Sequence, residues 1–171
     1  IYTNGNFKVD FGFPYNLDFS VSFGLQIFPF TGAGGFYFAL LSGETSTKVP
    51  QTTKGTFNPV IELGIGFQVG LGKDISKGIL KAGIDITVFG ILEGVIATWH
   101  PEDGNLVPGS QQQIQGDYYY LIKGTLGIIG KIYGSVDFAI IKAELSVVVR
   151  AFIQATIESF RPLFIYLEAG I

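Results

Sequence analysis

From Phe7 to Ile27 large apolar residues hold every odd position (Phe7, Val9, Phe11, Phe13, Tyr15, Leu17, Phe19, Val21, Phe23, Leu25, Ile27), and polar, Gly or Pro residues hold every even one. A period of two belongs to a β-strand, whose side chains point to opposite faces in turn; a helix could not sort these residues into two faces. The same alternation returns with Ile61, Leu63, Ile65, Phe67, Val69 and Leu71 opposite Glu62, Gly64, Gly66, Gln68, Gly70 and Gly72. Between Tyr118 and Ile140 the even positions are the apolar ones, and from Ala143 to Ile157 the odd ones are. A parity change at Ile140–Ile141 predicts a β-bulge or a tight turn there.

Breaks fall at 29–35, 42–59, 72–77, 99–117 and 159–162, segments rich in Gly, Pro, Ser, Thr, Asn and Asp. These residues supply turn geometry and interrupt a ladder. The two long breaks, 42–59 and 99–117, are the candidate functional loops. Asp74 to Ala82 can form one helical turn, because Ile75, Ile79 and Ala82 share a helical face, although Gly78 opposes it. Asn16–Val21, Gly83–Val88 and Ser135–Ile140 share the form apolar-Asp-apolar-small-apolar, which reads as a recurring strand with Asp outward. Glycines within the strand patterns predict long, coiled strands.

Composition narrows the class. The 171 residues suit one domain, 1–171, with apolar content ample for a core: 16 Phe, 8 Tyr and 24 Gly against 15% charged residues, and a mean hydropathy of +0.41. A net charge of −3 with scattered Lys and Arg excludes a nucleic-acid partner. The absence of Cys removes disulfides, thiolate nucleophiles and Cys-ligated metals. The chain begins at Ile1 and contains no Met, which points to a processed product or an excised segment. No apolar run approaches the ~20 residues of a membrane-spanning helix.

Candidate chemistry is sparse. His100, the single histidine, lies in Trp99-His100-Pro101-Glu102-Asp103-Gly104-Asn105, where turn chemistry accounts for Pro101 and Asp103-Gly104. With no second ligand at metal spacing, His100 makes no zinc site, and Glu102, Asp103 and Asn105 lack the ligand spacing of a calcium loop. Gly32-Ala33-Gly34-Gly35 is followed by a strand pattern rather than the helix a phosphate loop requires. Asp18, Asp85 and Asp137 read as outward acids that keep strands soluble. No nucleophile elbow or Ser-His-Asp set is present, so no catalytic residue, cofactor or metal site is assigned and the expectation is a protein that is not an enzyme. Trp99, Tyr118 and Tyr120 flank the 99–117 loop as candidate contact residues, either a sugar-stacking platform, the aromatic belt of a membrane barrel, or amphipathic residues at a sheet end.

The predicted fold is all-β: long, coiled antiparallel strands forming a sandwich or flattened tube or barrel with an apolar interior. Phe11, Phe19, Phe23, Phe67, Ile128, Phe138 and Val147 are the candidate residues facing a hydrophobic ligand within it. The stretch Gly130 to Ile157, with its Gly-Ser-Val-Asp-Phe opening and Lys142-Ala143-Glu144 centre, resembles β-rich segments of very large uncharacterised bacterial proteins. That resemblance spans about the last two-thirds of the chain, implies a module cut from something larger, and carries over no functional residue. The leading functional expectation is a non-catalytic structural or binding module of a secreted or cell-surface protein, with other domains or subunits as partners and a lipid-like molecule as candidate ligand. The alternatives are an outer-membrane β-barrel, with Phe, Leu and Val toward lipid, and a carbohydrate-binding sandwich.

Overall fold

The structure, a computed structural model, describes residues 6–102, 118–138 and 141–171, with Phe138 and Ile141 described by backbone alone. It is all-β, a single open antiparallel sheet built from β1 (Phe7–Phe11), β2 (Phe23–Ile27), β3 (Phe30–Leu41), β4 (Gly55–Lys77), β5 (Leu80–Pro101), β6 (Tyr118–Phe138), β7 (Ile141–Glu158) and β8 (Phe164–Gly170). Strand neighbours follow chain order, except that β1 and β2 both pair with β3. The sheet does not close into a tube and no second sheet packs on it among the described residues.

Hairpin geometry explains the shifts of parity. In β4 and β5, Lys77 pairs with Leu80, so odd residues of β4 lie opposite even residues of β5 and share a face with them. Phe138 pairs with Ile141 in the same way, and the parity change read from the sequence is this β6–β7 turn. The expected helical turn at Asp74–Ala82 does not form: β4 runs to Lys77, Gly78 turns the chain at φ +61°, and β5 starts at Leu80. The pairing partner across the hairpin outweighs the weak helical pattern of nine residues.

The strand expected over 7–27 is interrupted. Phe11 pairs with Phe36 and Phe23 with Gly34, so β1 and β2 lie end to end along β3, and residues 12–22 leave the sheet between them. Gly12, Asn16 and Leu17 adopt positive φ, Pro14 removes a ladder donor, and Tyr15–Leu17 form a 3-10 turn. The Ser22 hydroxyl donates to the Gly12 carbonyl at 2.6 Å and pins the base of this excursion. At its far end the Ser20 amide donates to Asp18 Oδ1 at 2.9 Å, a bond that holds the Asp18 carboxyl below its ordinary pKa. The alternation continues through the excursion because Phe13, Leu17 and Phe19 drop onto one face of the sheet, where Phe13 and Tyr37 pack with Ile91. A second segment, 42–54, covers the same face beside it, carrying Val49 into a cluster with Phe57, Val60, Val95, Ala97 and Tyr119.

One face is thus covered and the other open, and the side chains are not distributed as expected. The covered face carries most of the polar residues, the β4 glycines Gly64, Gly66, Gly70 and Gly72 and two small apolar clusters; the bulky alternating residues are on the open face, interspersed there with glycines such as Gly34, Gly94 and Gly130. Glu62 is 8% exposed, while its neighbours along β4 on the other face, Leu63, Ile65 and Phe67, are 38%, 53% and 54% exposed. The apolar interior expected from the alternation is therefore not where Phe67 and its like reside. Alternation states that two faces differ, and the covering segments select the face that carries less bulk.

Glycines on the two faces report the direction of curling. A Cβ on Gly70, on the covered face, would meet the hydroxyls of its row neighbours Thr31 and Thr87 at 2.7 and 3.0 Å. On Gly127 it would collide with Phe89 and Phe152, again its neighbours on either side. On the open face, a Cβ on Gly130, between Ile86 and Val149, meets nothing within 4 Å. A Cβ on Gly90 would lie under the Phe67 ring at 2.8 Å, those on Gly34 and Gly94 would come within 3.2 Å of backbone carbonyls, and on the covered face the edge-strand positions Gly24 and Gly170 meet nothing within 4 Å. In mid-sheet, side chains meet over Gly70 and Gly127 on the covered face and stand apart over Gly130 on the open one, so there the sheet curls toward its covered side.

Candidate functional site

The open face is a continuous apolar band. Rows run across the strands in register, for example Val9–Phe38–Leu63–Gly94–Ile122–Ile157 and Phe11–Phe36–Ile65–Leu92–Gly124–Ala155–Ile165. On β4 the band is free of charge from Ile61 to Leu71 and stops at Lys73. Ten residue steps at about 3.4 Å make about 34 Å along the strand, or about 24 Å in height at a 45° tilt. Tyr118 and Tyr120 stand at one end of the band, opposite Thr98 and Ile96, and Phe28 and Phe30 at the other. So large a contiguous apolar surface is foreign to a sheet facing water alone.

The residues proposed to face a ligand are largely on this band. Phe11, Phe23, Phe67, Ile128 and Val147 are exposed on the open face, lining no enclosed interior. Phe19 instead belongs to the 12–22 excursion and meets Phe89 on the covered face at 6.4 Å between ring centroids. The side chain of Phe138, and with it Asp103 and Asn105, lies outside the described residues.

Opposite the band, the covered face holds a charge network that local sequence pattern does not single out. Lys48 of the 42–54 segment reaches Glu93 at 3.1 Å and Glu62 at 4.0 Å and donates to the Tyr37 hydroxyl. Lys123 pairs with Glu93 from the neighbouring strand, and the Ser46 hydroxyl donates to Glu62 at 2.6 Å. Register produces the meeting: Gly64, Glu93 and Lys123 form one row, and Tyr37 stands beside Gly64. Among the described residues no buried side-chain nitrogen or oxygen lacks a partner. The signal present in the sequence is the placing of single charges, Glu62, Glu93 and Lys123, in the middle of apolar strands, where an unpaired charge would cost several kcal/mol. Lys48, in a loop tens of residues away, has no local mark.

At the rim, Trp99 and Tyr118 line a cavity of about 340 Å³ with Phe57, Tyr119, Phe160 and Arg161. Phe57 stacks between Trp99 and Tyr119 at centroid distances of 4.9 and 5.7 Å. The Tyr119 hydroxyl donates to Glu158 at 3.0 Å, and Glu158 also holds Arg161 at 3.2 Å. Tyr120 is not part of this cavity; it points to the open face, and Tyr119 takes the place expected for it. His100 Nε2 donates to the Asn58 carbonyl at 2.6 Å, a bond tying β4 to β5. Asp18, Asp85 and Asp137 do not gather: Asp18 is in the excursion, Asp85 on β5 beside Lys131, and Asp137 pairs with Lys142 at 3.4 Å. Among the described residues no three His, Cys, Asp or Glu side chains group as metal ligands.

Comparison with protein-family models, curated proteins and solved structures finds no match to this chain.

Proposed function

We propose that the chain is a non-catalytic wall segment of an outer-membrane-type β-barrel, with its open face against lipid acyl chains and its covered face toward a lumen partly filled by residues 12–22 and 42–54. The observation that carries this reading is the pairing of a charge-free apolar band on the open face with a covered face that holds the charge network of Lys48, Glu62, Glu93 and Lys123. A carrier that enclosed a hydrophobic ligand would need the reverse, with bulky apolar residues converging. On β4 the charge-free stretch of about 24 Å matches the ~25 Å apolar belt of such barrels, while on β5 the uncharged open-face positions run on from Ile96 to Leu80; the tyrosines at the end of the band suit an interfacial girdle. Pairing between neighbouring strands from β3 to β7 is continuous in register apart from the shift at Phe57/Val60, which suits a hydrocarbon phase that leaves no backbone group to water. Among the described residues no helix is long and apolar enough to cross a membrane, a fact that bears on helices alone.

The test is partition. The purified chain, refolded from urea, is mixed with phosphatidylcholine–phosphatidylglycerol vesicles and floated on a density gradient. It is expected to rise with the vesicles, to resist carbonate extraction, and to migrate faster on electrophoresis before boiling than after. A monodisperse chain in detergent-free buffer that stays at the bottom of the gradient would overturn the proposal.

A further inference from the structure

A groove runs along the covered face over the glycines of β4, and the covering segments fill only part of it. The Phe13 and Tyr37 rings lie over Gly64 and the Pro14 ring over Gly66, whereas at Gly70 and Gly72 the nearest side chains are the sheet's own. There the groove opens into a cavity of about 890 Å³, within the ~300–1,000 Å³ of small-ligand sites, and neither 12–22 nor 42–54 contributes to its lining. Register builds it from two rows, Gln26–Thr31–Gly70–Thr87 and Gly72–Asp85–Lys131. Gly70 and Gly72 carry no side chain and leave backbone as the floor, open to close approach by a ligand. The Thr31 and Thr87 hydroxyls converge over that floor, 2.7 and 3.0 Å from where a Gly70 Cβ would stand, and the Asp85 carboxylate leans over Gly72.

Opposite charges in the second row do not pair. Asp85 stands beside Lys131 in register, yet its carboxylate turns to Gly72, and the Lys131 ammonium lies 5.3 Å from the centre of the Tyr133 ring. Neither of them, nor Thr31 or Thr87, makes a side-chain hydrogen bond or ion pair with another described residue. Asp74, which also lines the cavity, accepts from the Tyr133 hydroxyl. The lining charges balance, Asp74 and Asp85 against Lys73 and Lys131, so the cavity offers an ion no net attraction. What it offers is a free carboxylate, two hydroxyls and an ammonium around a flat floor. We propose that the cavity binds a neutral saccharide, with a pyranose ring lying on the Gly70–Gly72 backbone as the Pro14 ring lies on Gly66. Vicinal sugar hydroxyls donate to the two Asp85 oxygens, and Thr31, Thr87 and Lys131 donate to sugar oxygens. Phe28, 93% exposed, gives an apolar wall for the C–H face of the ring. The site is built on the covered face alone, so it holds whatever lies against the open one.

The probes are four neutral disaccharides, maltose, cellobiose, lactose and sucrose, titrated into the full chain in dodecylphosphocholine micelles, which carry no sugar headgroup, and followed by ligand-observed NMR. At least one is expected to bind saturably with a Kd of about 1 mM or tighter. Asp85→Asn is expected to weaken that binding at least tenfold and Thr87→Val at least threefold. Glu168→Gln, which alters a carboxylate on the covered face outside the cavity, is expected to leave it unchanged. Urea midpoints show which variants fold, and Thr87→Val carries the test should Asp85→Asn fail to. Trp99 lies twelve residues beyond Thr87 along β5, about 40 Å away, and its fluorescence is expected to stay constant through the titration. A response of Trp99 would assign the sugar to the rim cavity and overturn this site. So would the absence of saturable binding, equal affinity of wild type and Asp85→Asn, or tighter binding of glucuronate or glucosamine than of every neutral probe. Vesicle flotation of the same chain reports on the wall separately: sugar binding without flotation keeps this site and removes the wall, and flotation without sugar binding does the opposite.

Discussion

Ile65→Lys measures what lies against the open face. Ile65 is 53% exposed and sits four residues from Ile61 and six from Leu71, near the middle of the charge-free run of β4. Its row neighbours Phe36 and Leu92 are apolar, so a lysine there has no partner within the sheet. Against water, replacing a half-exposed isoleucine by lysine changes stability by about 0.5 kcal/mol. Against hydrocarbon, a lysine near the midplane costs about 2–4 kcal/mol. At about 1.4 kcal/mol per factor of ten, 3 kcal/mol is a shift of about a hundredfold in the folding equilibrium. Ile75→Lys is the control, since Ile75 is 63% exposed and lies beyond Lys73, where the cost falls to about 0–1 kcal/mol. The assay is urea-dependent folding into phosphatidylcholine vesicles, followed by gel mobility and by the fluorescence of Trp99, the single tryptophan. The expected result is a large loss for Ile65→Lys and a small one for Ile75→Lys. Equal losses for the two, or a wild-type chain that folds fully without vesicles, would refute the reasoning.

Glu93→Ala removes the shared partner of Lys48 and Lys123 and is expected to cost about 1–3 kcal/mol, less than the 3–5 of a fully buried pair because both lysines keep partial solvent contact; urea midpoints measure it, and limited proteolysis should find segment 42–54 loosened. Gly66→Ala should destabilise by about 1–3 kcal/mol, because its Cβ would run into the Pro14 ring, with Pro14 Cδ only 2.7 Å away, whereas Gly130→Ala, with nothing within 4 Å, should be neutral or up to about 1 kcal/mol stabilising; parallel urea titrations decide both. Ser22→Ala removes the bond to the Gly12 carbonyl and is expected to cost about 1 kcal/mol and to increase hydrogen exchange across 12–22.

Strand content, antiparallel pairing and the position of the β6–β7 turn were legible in the chain itself, because a period of two survives any tertiary context and a parity change leaves few local solutions. The sequence likewise showed that one flank of each strand is bulky and apolar and the other polar or glycine. Which flank would be covered was not legible, since it depends on where residues 12–22 and 42–54 come to rest, and the alternation runs unbroken from Phe11 through Phe13 to Phe23 even where the backbone leaves the sheet. The Lys48–Glu93–Lys123 network was likewise invisible from neighbours in the chain: it exists because hairpin register brings Glu93 and Lys123 into one row and a loop lays Lys48 over it. Local periodicity determined the elements and their two-sidedness; only long-range register and the path of two connecting segments decided which side meets the outside, because a strand's alternation is symmetric between its faces and contacts with distant residues are what break that symmetry.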